Sequence, residues 1–175
     1  MNPLWSNIFR KPGYEGTLAY FLGTVPTFAT LGRRELSLLE SLVHLRNYSS
    51  GETVFSEGDI GSGMYIIRSG RIRIEMKDEQ GKDRIQAELV AGDFFGETAL
   101  TTARPRIASA TATEQTVLIG LFRADLLDAV RKHPAMASKI LLGLTRVLSE
   151  RLQHAGLRLR EQNFAHLKSG DEAQP

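Results

Sequence analysis

Cysteine is absent from this chain of 175 residues. That absence excludes disulfides and thiolate metal sites. Histidine is scarce, and none of His44, His133, His154 and His166 lies between residues 51 and 121. Charge of one sign is in small excess, net +2, so no strong polyelectrolyte partner is implied. Long apolar runs are missing: Ile140 to Leu144 is far short of a membrane span. No signal-peptide run opens the chain, because Trp5, Asn7 and Arg10 stand where one would sit. These absences lead us to expect a cytoplasmic chain with no stable membrane span. What is present is a hydrophobic content of 42%, enough for a globular core, in a length that fits one domain with an appendage.

Taken in order, residues 1–24 read as an N-terminal helical extension. Leu4, Trp5, Ile8 and Phe9 share a helical face, Pro12-Gly13 breaks it, and Thr17 to Leu22 suits a second short helix. Docking on the main domain is the plain role for that face. A membrane-surface or partner helix is the sharper one, since Arg10 and Lys11 flank it. Leu36, Leu39, Leu42 and Val43 recur at helical spacing and predict a helix ending near His44. From there to Phe122, closely spaced glycines and short alternating runs predict strands over 44–49, 52–55, 63–68, 71–76, 83–90, 106–113 and 115–122. Ser69-Gly70 reads as a tight hairpin turn. So many short strands suggest a β-roll or jelly-roll barrel.

After Arg123 the helical period returns through Leu126, Leu127 and Val130. Pro134 then starts a segment carrying Met136, Ile140, Leu141, Leu144, Val147, Leu148 and Leu152. This pattern continues toward Leu167, with Gly156 as a weak point, and residues 169–175 read as a disordered tail. Residues 139–168 hold six Lys/Arg and two Glu, a modest excess best read as a solvated helix face.

The stretch Phe94 to Ala112, FFGETALTTARPRIASATA, organises the rest. A glycine-led turn offers free backbone N–H groups, a ready anion site. Arg106, ten residues beyond Gly96, can supply a planar fork for phosphate oxygens. Glu97 would repel an anion alone, so its presence suits a ligand with hydroxyl donors beside its phosphate, as a ribose has. Metal-dependent barrel chemistry would need clustered ligands, and the strand region has no histidine. No nucleophile-elbow motif appears either, so no enzyme is expected.

At these residues the chain resembles the cyclic nucleotide-binding domain family, the type found in catabolite activator proteins and protein kinase A regulatory subunits. The resemblance rests on Gly96-Glu97-Thr98-Ala99-Leu100, a short spacer, then Pro105-Arg106-Ile107-Ala108, and it covers roughly residues 25–152. It implies an α+β fold: an eight-stranded β-roll over about 44–122, flanked by N-terminal helices and by C-terminal helices from residue 123. Residues 153–175 would then be a helix extension and tail. It implies a ligand site of Phe95, Gly96, Glu97, Thr98, Ala99, Arg106, Ile107 and Ala108. Gly96, Thr98 and Ala99 would offer N–H groups to a cyclic phosphate, Arg106 would neutralise it, and Glu97 would accept from the ribose 2′-hydroxyl. Arg104 is the competing arginine, and the family's Arg-x-Ala pattern selects Arg106.

The resemblance also implies cyclic AMP ahead of cyclic GMP, because Ile107 lacks the hydroxyl that can bond guanine and is bulky beside the base. It implies a C-terminal helix that closes over the base, with Arg146, Arg151 and Leu152 as lid residues, and that helix as a homodimer interface. The module would bind its nucleotide without a cofactor and signal to an unidentified downstream protein. Only about 20 residues follow Arg151, too few for a helix-turn-helix domain, so no nucleic-acid partner is expected. Two alternatives stay open: a module that kept the fold but binds another ligand or none, and the sensor part of a larger channel, kinase or regulator.

Overall fold

The computed structural model describes the backbone of residues 16–171 and the side chains of residues 16–157 and 160. The apolar face of Leu4, Trp5, Ile8 and Phe9 lies outside the described residues. The first helix, α1 (Leu18–Thr24), is capped by Thr17, whose hydroxyl accepts from the Tyr20 N–H at 3.2 Å. A 3-10 turn over Pro26–Phe28 follows, with proline at its first position, where its missing N–H costs nothing. Helix α2 (Arg33–Leu42) starts where the Gly32 N–H donates to the Glu35 carboxylate at 2.7 Å. It buries Leu36 and Leu39 and ends at the expected place.

Eight strands follow among the described residues, arranged in two antiparallel sheets. They are β1 (His44–Tyr48), β2 (Thr53–Phe55), β3 (Gly63–Ser69), β4 (Arg71–Lys77), β5 (Asp83–Val90), β6 (Phe94–Phe95), β7 (Ser109–Ala112) and β8 (Thr116–Phe122). One sheet runs β1-β8-β3-β6 and the other β2-β7-β4-β5, so the chain crosses repeatedly between them and makes a roll. The predicted strand at 106–113 shortens to Ser109–Ala112. Arg106 leaves the ladder and exchanges backbone hydrogen bonds with Gly58 and Asp59, each 2.8 Å long.

Alternation explains why β3 is buried along most of its length. Met64 and Ile66 face a core shared with the helices, where Leu22, Phe28, Leu39 and Ile140 also sit. Tyr65 and Ile67 face the inside of the roll, with Ile72, Phe95, Ala110 and Leu118. The first sheet is therefore sandwiched between helices and the second sheet, the geometry in which period-2 strands become apolar on both faces.

Helix α3 (Arg123–Lys132) leads to α4 (Pro134–Asp171). Along α4, Met136, Ala137, Ile140 and Leu144 are buried. Gly143 lies so close to the Thr27 carbonyl that a Cβ would overlap it. Lys139 reaches α2 and pairs with both Glu35 carboxylate oxygens at 2.8 and 2.7 Å. The helix passes through Gly156 unbroken and continues to Asp171, so residues 169–171, expected in a disordered tail, are helical. No described helix is long and apolar enough to cross a membrane.

Candidate functional site

Strand β6 is only two residues, paired with Tyr65 and Ile66 of β3, and it sets the start of the turn that follows. Gly96 takes φ 75°, a left-handed conformation that favours glycine. A side chain there would also run into Arg106 Nη1. The chain then makes a 3-10 turn over Glu97–Leu100, anchored by buried Ala99 and Leu100. The first N–H groups of such a turn have no partner within it. The Ala99 N–H reaches back to the Gly96 carbonyl at 3.2 Å.

Arg106 is buried, only 8% exposed. Its Nη1 donates to the Gly96 carbonyl at 2.9 Å and its Nη2 to the Gly63 carbonyl at 2.7 Å. The guanidinium lies over the Phe55 ring, 4.1 Å from its centre. Burial lowers its pKa from the usual high value, while Tyr65, Glu97 and Asp59 act in the opposite direction. The group remains charged, as arginine does in proteins. With two donors on carbonyls, the rest of the fork is free for an anion.

Glu97 is also buried, 9% exposed. Arg151, from α4, places Nη1 2.7 Å from its Oε1. The same guanidinium donates to the Phe94 carbonyl at 3.0 Å and stacks on the Phe94 ring at 4.4 Å. Helix α4 is thus tied to β6 and to the turn that follows it.

These groups border a cavity of about 710 Å³. Phe95, Gly96, Glu97, Thr98, Arg106, Ile107 and Ala108 all line it, as does Arg151. Ala99 does not, being packed beneath the turn. Arg104 lines the cavity and is otherwise solvent-exposed. Ile107 stands at the rim, 77% exposed, and does not plug the cavity. Two of the three lid residues are placed elsewhere: Arg146 is exposed and away from the lining, and Leu152 is 74% exposed. Of the three, only Arg151 faces the cavity.

Sequence reasoning missed the apolar wall of Ile74, Met76, Ala87 and Leu89. Its signal was available in β4, where Ile72, Ile74 and Met76 alternate with Arg71, Arg73 and Glu75. Phe55 beneath Arg106 gave no such signal. Also missed was Arg123, whose Nη1 donates to the Ala99 carbonyl at 3.0 Å and to Gly61 at 3.2 Å. Among the described residues no cluster of His, Asp or Glu could hold a metal ion.

A buried arginine, a buried glutamate and a left-handed Gly-Glu turn face one cavity in a β-roll, and the family model described as "Cyclic nucleotide-binding domain" matches residues 45–133. The chain belongs to the cyclic nucleotide-binding domain family. The cyclic AMP receptor protein of Thermus thermophilus is 35% identical over 144 residues, which is 82% of this chain and 65% of that one. The regulatory subunit of cAMP-dependent protein kinase from Mycosarcoma maydis is 38% identical over 111 residues, 63% of this chain and 20% of that one. This cyclic nucleotide-binding domain protein therefore spans 65% of the length of the first relative and a fifth of the second. The crystal structure of the Thermus thermophilus catabolite activator protein superposes with a TM-score of 0.72 at 35% identity, covering 79% of this chain and 63% of that chain.

Proposed function

We propose that this cyclic nucleotide-binding domain protein is a non-catalytic sensor for cyclic AMP. The observation that carries the reading is the joint burial of Arg106 and Glu97 on one cavity, with Arg151 of α4 already on Glu97. The cyclic phosphate lies against the 96–99 turn, where the N–H groups of Gly96 and Thr98 are donors and that of Ala99 is shared with Gly96. The free part of the Arg106 fork neutralises its charge. One oxygen of Glu97 stays with Arg151 and the other accepts from the ribose 2′-hydroxyl. The base lies against the apolar wall of β4 and β5, which suits a purine better than any charged group. Ligand capture then shifts a population toward α4 docked, through a bond that Arg151 makes only when the helix is closed. The docked state passes to a downstream protein in the cytoplasm, and the exposed Leu142, Leu152 and Leu157 of α4 suit a homodimer interface.

The test is calorimetric titration of the wild type and of Glu97→Ala with cyclic AMP and its 2′-deoxy analogue. Glu97→Ala is expected to lose affinity for cyclic AMP and almost none for the analogue, which lacks the hydroxyl. An equal loss on both would show that Glu97 supports the turn and does not read the ribose. No binding of any cyclic nucleotide to the wild type would overturn the sensor reading itself.

A further inference from the structure

Arg123 is the first residue of α3 and does not line the cavity. Its contacts mirror those of Arg106. Arg106 holds the Gly96 carbonyl at the start of the 97–100 turn, and Arg123 holds the Ala99 carbonyl near its end. Arg106 also holds the Gly63 carbonyl and Arg123 the Gly61 carbonyl, two residues apart where the chain enters β3. The Arg123 backbone N–H donates to Ser62 between them at 2.8 Å. The two arginines therefore grip the same turn and the same entry to β3. One faces the cavity and the other belongs to the helix that leads into α4.

We propose that Arg123 is a positioning residue that makes the 97–100 turn and the start of α3 a single mechanical unit. The carbonyls near the end of a short 3-10 turn lack partners within it, so Arg123 supplies the one that ties Ala99 to α3. Its backbone bond to Ser62 already fixes the corner between β8 and α3, and that bond would survive loss of the side chain. The side chain is thus spent on the turn. A ligand that draws on the Arg106 fork alters one end of the turn, and the displacement reaches α3 through the other. This last step rests on the sensor reading above; the mechanical unit does not.

Hydrogen exchange of the wild type, Arg123→Met and Arg123→Lys decides it, with thermal unfolding as a check on folding. Without ligand, Arg123→Met should speed exchange together at residues 98–102 and in the first turn of α3, by about threefold to tenfold, the factor that one or two lost hydrogen bonds allow. Core amides of β3 and β8 should be unchanged. Arg123→Lys, whose ammonium can still bridge two carbonyls, should lie between the two. If α3 alone speeds up, or the methionine variant matches the wild type, the proposal is overturned. Should Arg123→Met not fold, the lysine variant carries the same comparison. With cyclic AMP, the wild type should gain protection in both the turn and α3, and Arg123→Met in the turn alone; an equal gain in α3 overturns the coupling. A wild type that binds no cyclic AMP would refute the sensor reading, and the ligand-free exchange would still decide the clamp.

Discussion

Arg106 shows how a single side chain serves two ends. Its hydrogen bonds to Gly96 and Gly63 and its stacking on Phe55 fix the fork before any ligand arrives. A pre-placed donor loses less entropy on binding than a flexible one. A charge-assisted bond of this kind is worth about 1.5–3 kcal/mol, so Arg106→Ala should weaken cyclic AMP binding about tenfold to over a hundredfold. Arg106→Lys should recover little, because an ammonium keeps the charge and loses the fork. Arg104→Ala should matter far less, since that side chain lines the cavity but is solvent-exposed. Titrations of the three variants check this. Equal losses for Arg104→Ala and Arg106→Ala would remove Arg106 from the phosphate role.

Helix α4 is held at three levels along its length. Lys139 pairs with Glu35 of α2, Gly143 lies against the Thr27 carbonyl, and Arg151 pairs with Glu97. The first two fasten the early part of the helix to the N-terminal elements, and the third touches the cavity. Two of the six cations in 139–168 are thereby committed to carboxylates instead of forming a solvated face. The Glu35 carboxyl is held below its usual range, first by the Lys139 hydrogen bond and then by the Gly32 N–H. A lowered folded-state pKa adds stability above the unfolded value, about 4.3, and that stability fades as pH falls through the folded value. Denaturant unfolding of the wild type and Glu35→Gln should therefore differ most near neutral pH and converge as pH drops below about 4. A gap that stays constant down to about pH 3 would show that the pair is not linked to folding.

At the scale of the whole molecule, the cavity sits inside the roll while its rim is completed from outside by α4. The two cores meet along β3, whose alternate residues face the helices and the roll interior. Binding inside the roll should thus stabilise the helical layer as well. Cyclic AMP at about 100 times its Kd adds about 2.7 kcal/mol by mass action, or roughly 5–10 °C in Tm for a chain of this size. Thermal unfolding with cyclic AMP and with linear adenosine 5′-monophosphate measures it. The cyclic nucleotide should give the shift and the linear one far less. Equal shifts would mean that the turn does not recognise the ring closure.

The sequence alone determined the roll and singled out the Gly96-Glu97 turn and Arg106, which the fold brings to one cavity. Seven of its strands were legible because period-2 alternation and glycine turns act between neighbours in the chain. Gly96, Glu97 and Arg106 were legible because a left-handed turn and a charged fork depend on residue type at fixed spacing. Phe94–Phe95 was not read as a strand, since two residues are too few to show a period. The choice among Arg146, Arg151 and Leu152 also needed the tertiary structure. Arg151 meets Glu97 across 54 residues, and which helical face reaches the cavity depends on how α4 docks on α2 and the Pro26–Phe28 turn. Arg123 likewise gains its role only when the β8 to α3 corner folds against a loop some 60 residues earlier. Local propensity carries no information about such pairs, because packing between distant elements decides the distance between them.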